Sequence, residues 1–158
     1  MKFHRILNTI YALVGALAIA TAANAGETLL DVSIGNQQHK YTLEDLKALP
    51  STEFATTTIW TDGQQVFEGV LLKELLDKLD VTEGEIEATA INDYSVTLPV
   101  SDATVDGPIV AYLLNGSLMS RRGKGPLWIV YPYDNNPSYK TETIYSRSIW
   151  QMDRIAVK

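Results

Sequence analysis

The side chains of this chain that can do chemistry are aromatic, carboxylate and basic, because the sequence contains no cysteine and only two histidines. Trp150 follows Arg147 and Ser148, so a ring, a guanidinium and a hydroxyl lie within four residues. Trp60 stands between a threonine-rich run and a turn. Such side chains stack on a flat ligand and hydrogen-bond to its polar edge. We therefore expect a ligand-binding site that includes all four residues.

Two carboxylates, each beside a tyrosine, are candidates for the same site. Asp93 and Tyr94 lie at a break between two predicted strands, and Tyr133 and Asp134 lie in a loop rich in turn-forming residues. A carboxylate accepts hydrogen bonds from the N–H groups of a heterocycle. Asp93 fits a turn-capping role equally well. The tryptophans also fit a hydrophobic core, with Arg147 in solvent.

The composition argues against catalysis by histidine, cysteine or a resident metal. His39 is the one histidine beyond residue 25, and it lies in an early hairpin that we expect to face solvent. A Ser-His-Asp triad, a zinc site or a haem site would depend on this residue alone. The chain has no calcium-binding D-x-D-x-D-G loop, and no carboxylate spacing indicates a hydrolase. We therefore expect neither a catalytic residue nor a metal ligand.

The elements that must position these residues are many short strands and two short helices. Thr42 is the predicted N-cap of a helix that ends at Pro50, and residues 70–79 carry leucines on one helical face. Apolar-polar alternation and β-branched or apolar runs predict the strands. These are 28–35, 53–60, 86–92, 94–100, 109–114 and 127–131, with a short strand through Tyr41 and a last strand after a turn or helix through Trp150. Trp128 is expected in the core. The fold class is α+β.

The first 25 residues have the pattern of an export signal. Two basic residues precede an apolar run at 10–20 and an A-x-A cleavage pattern at 23–25. The run is shorter than the roughly 20 residues that span a bilayer, although an uncleaved membrane anchor is the alternative. We predict a signal peptide over residues 1–25 and one domain over residues 26–158, located in the periplasm.

Residues 26–158 carry an excess of negative charge. Without Lys2 and Arg5, 11 basic residues stand against 19 acidic ones. Such a surface fits neither nucleic acid nor anionic lipid. We find no second long apolar run, so we expect no membrane insertion after cleavage. Three of the basic residues lie in the glycine-containing loop Arg121–Gly125, which fits either an anion or partner contact or a solvated hairpin loop.

Four stretches share their order and spacing with one family. They read FEGVLLKELLDKL, NDYSVTLPVSD, PIVAYLLNGSLMSRRGKGPLWIVYP and IWQMDRIAVK. Together they resemble the molybdopterin-binding domain of sulfite-oxidase-type enzymes, over roughly residues 56–157. The resemblance implies that domain's fold, with mixed β-sheets and a few short helices.

The chain departs from the enzymes at two positions, and these departures lead us to expect a ligand without molybdenum. In the enzymes, a cysteine in the region corresponding to Thr56–Trp60 binds molybdenum through its thiolate, a soft ligand that threonine and tryptophan cannot replace. A basic residue commonly follows the Pro-Leu pair, where this chain has Trp128. The chain is similar to small, exported, cysteine-free versions of the domain. Some of these bind a free pterin and act as ligand-sensing partners of membrane proteins that make or degrade cyclic di-GMP.

These implications lead to a specific expectation: a non-catalytic protein that binds a pterin and contacts the periplasmic region of a membrane sensor. A pterin is a flat bicycle whose pyrimidine edge resembles that of guanine, so its site needs rings and hydrogen-bonding groups. The predicted ligand-binding residues are Trp60, Asp93, Tyr94, Tyr133, Asp134, Arg147, Ser148 and Trp150. The alternatives are a small molybdopterin-dependent oxidoreductase, or a subunit of one, and an interaction module whose pocket is filled by its own side chains.

Overall fold

The structure is a computed structural model that describes residues 26–158, so the predicted signal peptide lies outside the described residues. Strands dominate and the helices are short, which confirms the α+β class. The strands are β1 (Thr28–Ile34), β2 (Gln37–Thr42), β3 (Ser51–Thr57), β4 (Gln64–Leu71), β5 (Glu85–Ala90), β6 (Ser95–Pro99), β7 (Ile109–Leu114), β8 (Ser117–Leu118), β9 (Leu127–Val130) and β10 (Ile149–Val157). The α-helices are α1 (Leu43–Lys47), α2 (Leu72–Lys78) and α3 (Glu142–Tyr145), and 3-10 turns cover Val100–Asp102 and Pro137–Tyr139.

The strands form one mixed sheet with a branch. Its main path is β2-β1-β10-β9-β7-β4-β3, while β5 pairs with β10 and β6, and β8 pairs with β7. The β1–β10 pair is parallel and the other pairs are antiparallel. Strand β10 therefore joins the three parts of the sheet.

The partners of β10 change along its length. Ile149 and Met152 pair with β9, whereas the residues from Arg154 onward pair with β1 on one side and β5 on the other. The register shifts between Ile149 and Met152 on the β9 side, where Gln151 has a φ of 54°. A bulge of this kind bends a strand and redirects its side chains.

Helix α1 begins as the sequence predicts. The Thr42 side chain accepts a hydrogen bond from the Asp45 backbone N–H, and the Asp45 carboxylate accepts one from the Thr42 backbone N–H at 2.8 Å. This reciprocal capping box satisfies two backbone donors that the helix itself cannot pair. It fixes the turn from β2 into the helix.

The predicted helix over 70–79 is shorter in the structure because its first residues belong to β4. Val70 and Leu71 pair with β7, and helix α2 begins only at Leu72. Tertiary pairing here outweighs the leucine periodicity. Leu72, Leu75 and Leu76 are buried on the predicted face, each contributing about 1.5–3 kcal/mol by burial.

Two strand boundaries place the candidate tryptophans differently from the prediction. Strand β3 ends at Thr57, so Trp60 lies in the following turn rather than in the strand. Strand β10 begins at Ile149, so Trp150 lies in the strand rather than in the preceding turn. Strands β5 and β6 are also one or two residues shorter than predicted at the ends that face their connecting turn. Residues at these strand ends, among them Trp60, Tyr94 and Trp150, line the candidate site.

The core contains large aromatic residues as well as aliphatic ones. Trp128 is fully buried in β9, as predicted, and Tyr112, Tyr131 and Tyr133 are also buried. Buried tyrosines need partners for their hydroxyl groups. Two of those partnerships shape the site described below.

We expect Gly69→Ala to destabilise the protein by about 2–3 kcal/mol, because strands β4 and β7 touch at this glycine. A Cβ atom at Gly69 would lie 2.1 Å from the Val110 carbonyl oxygen, which is backbone and cannot move aside cheaply. Urea denaturation measures the change. Gly123→Ala is the control, since its Cβ would meet only Ser120 atoms at 3.3 Å or more. Equal stability of both variants would contradict the tight contact.

Candidate functional site

A pocket of about 470 Å³ opens where β10 starts, between the turn after β3, the turn joining β5 to β6, and helix α3. Its size lies within the range of small-molecule sites. Its aromatic lining residues are Trp60, Tyr94, Tyr145 and Trp150. Its polar lining residues are Asn92, Glu142, Ser146, Ser148 and Gln151. The pocket thus combines several rings with a few hydrogen-bonding groups.

Trp60 is the centre of the aromatic cluster. Its ring centroid lies 5.5 Å from that of Trp150, 5.9 Å from Tyr145 and 6.2 Å from Trp128, each in an edge-to-face arrangement. Edge-to-face pairs at such distances contribute about 0.5–1.5 kcal/mol each beyond burial. Because these contacts fix the rings before any ligand arrives, the aromatic surface is preorganised.

A lysine from the Arg121–Gly125 loop lies against this cluster. The Lys124 Nζ atom is 3.7 Å from the Trp150 ring centroid and 5.5 Å from that of Trp128. Partial burial against these rings lowers the pKa of Lys124 below its ordinary value. The contact is a cation–π interaction, which ties the loop to the pocket wall.

The backbone of Gln151 fixes the direction of Trp150. Its φ of 54° is unusual for a residue with a side chain. Its N–H donates to the Lys124 carbonyl, and its carbonyl accepts from the Ile91 N–H, each at 2.9 Å. Its side-chain amide donates to the Arg121 carbonyl at 2.7 Å. Surrounding bonds of this kind hold a strained residue in place, and such residues concentrate at functional sites.

Ser148 joins the pocket to the core. Its hydroxyl oxygen is hydrogen-bonded to the hydroxyl of Tyr133, and both residues are buried. Burial raises the pKa of Tyr133 far above its ordinary value, so this hydroxyl is neutral. The Tyr133 ring lies 4.9 Å from Tyr145 and supports it from behind, although Tyr133 is not itself a lining residue.

Arg147 points away from the pocket. Its Nη1 atom donates to both oxygens of Asp102, at 2.7 and 3.0 Å, and the Tyr131 hydroxyl donates to the same carboxylate at 2.7 Å. Burial raises the pKa of Tyr131 strongly. The structure therefore gives Arg147 a structural partner, and this network anchors the chain immediately before β10.

Asp134 binds backbone and a lysine rather than lining the pocket. It accepts hydrogen bonds from the Thr57 N–H at 2.7 Å and the Thr57 hydroxyl at 2.8 Å, and its other contact is Lys140 Nζ at 2.7 Å. The Asp134 N–H donates in return to the buried Thr56 hydroxyl. These bonds fix the end of β3, and hence the turn that carries Trp60.

Asp93 also lies outside the lining, while its neighbour Tyr94 lies inside it. Asp93 has a φ of 66° in the turn between β5 and β6, and its carboxylate pairs with Arg154 at 2.9 Å. In that turn the Asn92 side chain, and not that of Asp93, accepts a hydrogen bond from the Tyr94 N–H at 3.2 Å. Tyr94 is 61% exposed at the rim, as is Ile59 at 62%.

The structure thus brings together four of the eight predicted site residues: Trp60, Tyr94, Ser148 and Trp150. It places Asp93, Tyr133, Asp134 and Arg147 in supporting contacts. Sequence reasoning did not predict Asn92, Glu142 or Tyr145 as site residues, because none of them gave a motif signal. The adjacency of Asn92 to Asp93 in the resembling stretch was the one available clue.

Within residues 26–158, the structure contains no cluster of three or more histidine, cysteine or acidic side chains that would suit a metal ion. The same range has no helix of sufficient length and apolarity to cross a membrane.

Comparison with known proteins identifies the fold. No protein-family model and no curated protein sequence matches the chain. Among solved structures, it is similar to the sulfane dehydrogenase SoxCD from Paracoccus pantotrophus, with a TM-score of 0.58 and 16% identity. The match covers 81% of this chain and 37% of that one. That structure belongs to the sulfite-oxidase family, so the chain has a sulfite-oxidase-like fold.

The pocket does not fit the molybdenum cofactor associated with that fold. The chain has no cysteine to supply a thiolate ligand. Among the described residues that line the pocket, none is a lysine or arginine that could pair with the cofactor's phosphate, and Glu142 is acidic. The lining offers aromatic rings and hydrogen-bonding groups instead.

We expect Asp134→Asn to lower the free energy of unfolding by about 1 kcal/mol at neutral pH, since the carboxylate is near the surface and partly screened. Bonds from Lys140 and Thr57 hold the pKa of Asp134 at about 2. The stabilisation is therefore complete above the ordinary aspartate pKa near 4 and is lost as pH falls toward 2. Urea denaturation at several pH values measures it.

The control for this change is Asp62→Asn. The Asp62 carboxylate is exposed and makes no hydrogen bond within residues 26–158, where only the Asp62 backbone carbonyl accepts one. It should leave stability nearly unchanged across the same pH range. A constant difference between wild type and Asp134→Asn from pH 7 to pH 2 would contradict the assigned pKa.

Proposed function

We propose that this protein binds a free pterin in the aromatic pocket and has no catalytic activity of its own. The observation that carries the proposal is the preformed set of rings around Trp60, which lies at the mouth of a pocket that also offers Asn92, Glu142 and Gln151. Stacking on aromatic side chains contributes about 1–3 kcal/mol per base-like ring. Two or three polar contacts raise this to micromolar affinity, about −8 kcal/mol.

The proposed setting is the periplasm, where the protein reports pterin occupancy to the periplasmic region of a membrane sensor that controls cyclic di-GMP. The export pattern and the resemblance of the sequence to small pterin-binding regulators support this part. The exposed rim residues Ile59 and Tyr94 would let a partner contact the pocket mouth. A partner responds to the ligand only if it binds the filled and empty forms differently.

A small molybdopterin-dependent oxidoreductase, or a subunit of one, is the second candidate. The likeness to the SoxCD sulfane dehydrogenase favours it, because that protein is an enzyme. In this chain the cofactor alone would have to hold the metal, since cysteine is absent. A third candidate, an interaction module without a ligand, gains no support from a pocket of about 470 Å³.

The direct test is to purify the protein from its host and extract any bound pterin, detected by its fluorescence. Wild type is expected to carry it, whereas Trp150→Ala should bind at least tenfold more weakly, because a stacking surface is lost. Trp150→Phe keeps a ring and should retain binding. Tyr139→Ala is the matched control, since it removes a half-buried ring that lies away from the pocket.

Metal analysis of the same preparation separates the two leading candidates. About one molybdenum per chain would replace the pterin-sensor proposal with the oxidoreductase. A wild-type protein that is empty, and that shows no heat of binding with added pterins, would refute both.

Signalling needs its own measurement. Replacing wild type by Trp150→Ala in the host is expected to change cellular cyclic di-GMP in the same direction as deleting the gene, because both remove the filled form. Tyr139→Ala should leave the level unchanged. A pterin-binding protein whose deletion has no effect on cyclic di-GMP would keep the binding proposal and overturn the signalling role.

A further inference from the structure

The charge of the pocket points to a narrower ligand class than pterins in general. Among the described residues that line it, Glu142 is the one charged side chain, so the lining carries a negative charge and no positive one. The domain around it is also acidic, with 11 basic and 19 acidic residues in 26–158. A phosphorylated ligand would meet repulsion from Glu142, and no lysine or arginine in the lining would offset it.

Three other carboxylates near the pocket already form ion pairs. Asp93 pairs with Arg154, Asp102 with Arg147 and Asp134 with Lys140. Within residues 26–158, neither a salt bridge nor a side-chain hydrogen bond includes Glu142. Its acceptor oxygens are therefore available to a ligand in the pocket.

The backbone of Glu142 is also held in a defined place, while its side chain is exposed. It is the first residue of α3, where the Thr141 side chain accepts from the Ile144 N–H at 3.3 Å. The Glu142 carbonyl accepts from the Ser146 N–H at 2.9 Å, so the backbone beneath the carboxylate is fixed. A group mounted on such an element binds with a smaller ordering cost than one on a free loop.

The nearby lysine does not provide the missing positive charge in the lining. Lys124 Nζ lies 3.7 Å from the Trp150 ring centroid, and Lys124 is not a lining residue. In the same loop, Arg121 is bound to Glu27, and Arg122 is not a lining residue either. The pocket therefore offers acceptors and rings, with Asn92 as an amide that can also donate.

We infer that the pocket selects phosphate-free pterins over pterin phosphates and over pteridines that lack the 2-amino group, and that Glu142 is the residue that determines this specificity. A carboxylate can accept two hydrogen bonds at once from the amino group and the adjacent ring N–H of such a molecule. The same negative charge disfavours pterin phosphates. This inference rests on the proposed pterin-binding function.

The test is calorimetric titration with three probes: neopterin, neopterin monophosphate and lumazine, which has an oxygen in place of the 2-amino group. Wild type is expected to bind neopterin about tenfold more tightly than either of the other two. Glu142→Gln should weaken neopterin binding by about tenfold and shrink both ratios toward one. Glu83→Gln, which changes an exposed glutamate outside the pocket lining, is the matched control and should behave as wild type.

The possible results distinguish the specificity role of Glu142 from pterin binding itself. If neopterin binds and Glu142→Gln keeps both wild-type ratios, the specificity role of Glu142 is wrong and pterin binding stands. If the monophosphate binds as tightly as neopterin to wild type, the exclusion of phosphates is wrong. If none of the three probes binds while Trp150→Ala and wild type behave alike, the proposed function itself fails.

Discussion

Strand β10 pairs with β9 at Ile149 and Met152 and with both β1 and β5 from Arg154 onward, and its register shifts on each side of Met152. Between the two residues that pair with β9, Gln151 takes a positive φ, and the strand bulges there. The bulge removes part of the regular ladder and opens the sheet beside Trp150. The pocket exists because the sheet branches at this strand, and three hydrogen bonds to Gln151 keep the opening fixed.

The pocket wall is built from rings that contact one another, with polar networks one layer behind them. Tyr133 and Ser148 form one such network, and Arg147, Asp102 and Tyr131 form another. Each buried hydroxyl finds a partner, as buried polar groups generally do. The exception is the Trp128 indole nitrogen, which is buried with no hydrogen-bond partner in the described part of the chain. Aromatic packing around Trp128 and the nearby Lys124 charge surround that ring.

Much of the fold could be predicted because its signals are local. Thr42 with Asp45 forms a capping box over three residues, and Asn115-Gly116 supplies the two positive φ angles that its hairpin turn needs. The site was harder because its pairings are distant in the chain. Asp93 pairs with Arg154, which lies 61 residues away in the chain. No sequence pattern in either segment predicts this ion pair. Glu142 lines the same pocket as Asn92 and Tyr94 of the β5–β6 turn, although they lie far apart in the chain.

The contact among the three tryptophans gives the chain a built-in optical label. Trp60, Trp128 and Trp150 account for all the tryptophan in the sequence, and their ring centroids lie 5.5–6.2 Å apart. Indoles this close interact in their excited states, so the tryptophan parts of the ultraviolet emission and of the near-ultraviolet dichroism come from one cluster. A guest that stacks on Trp60 or Trp150 perturbs the entire tryptophan spectrum at once, because the buried Trp128 contacts both rings and the sequence has no other indole.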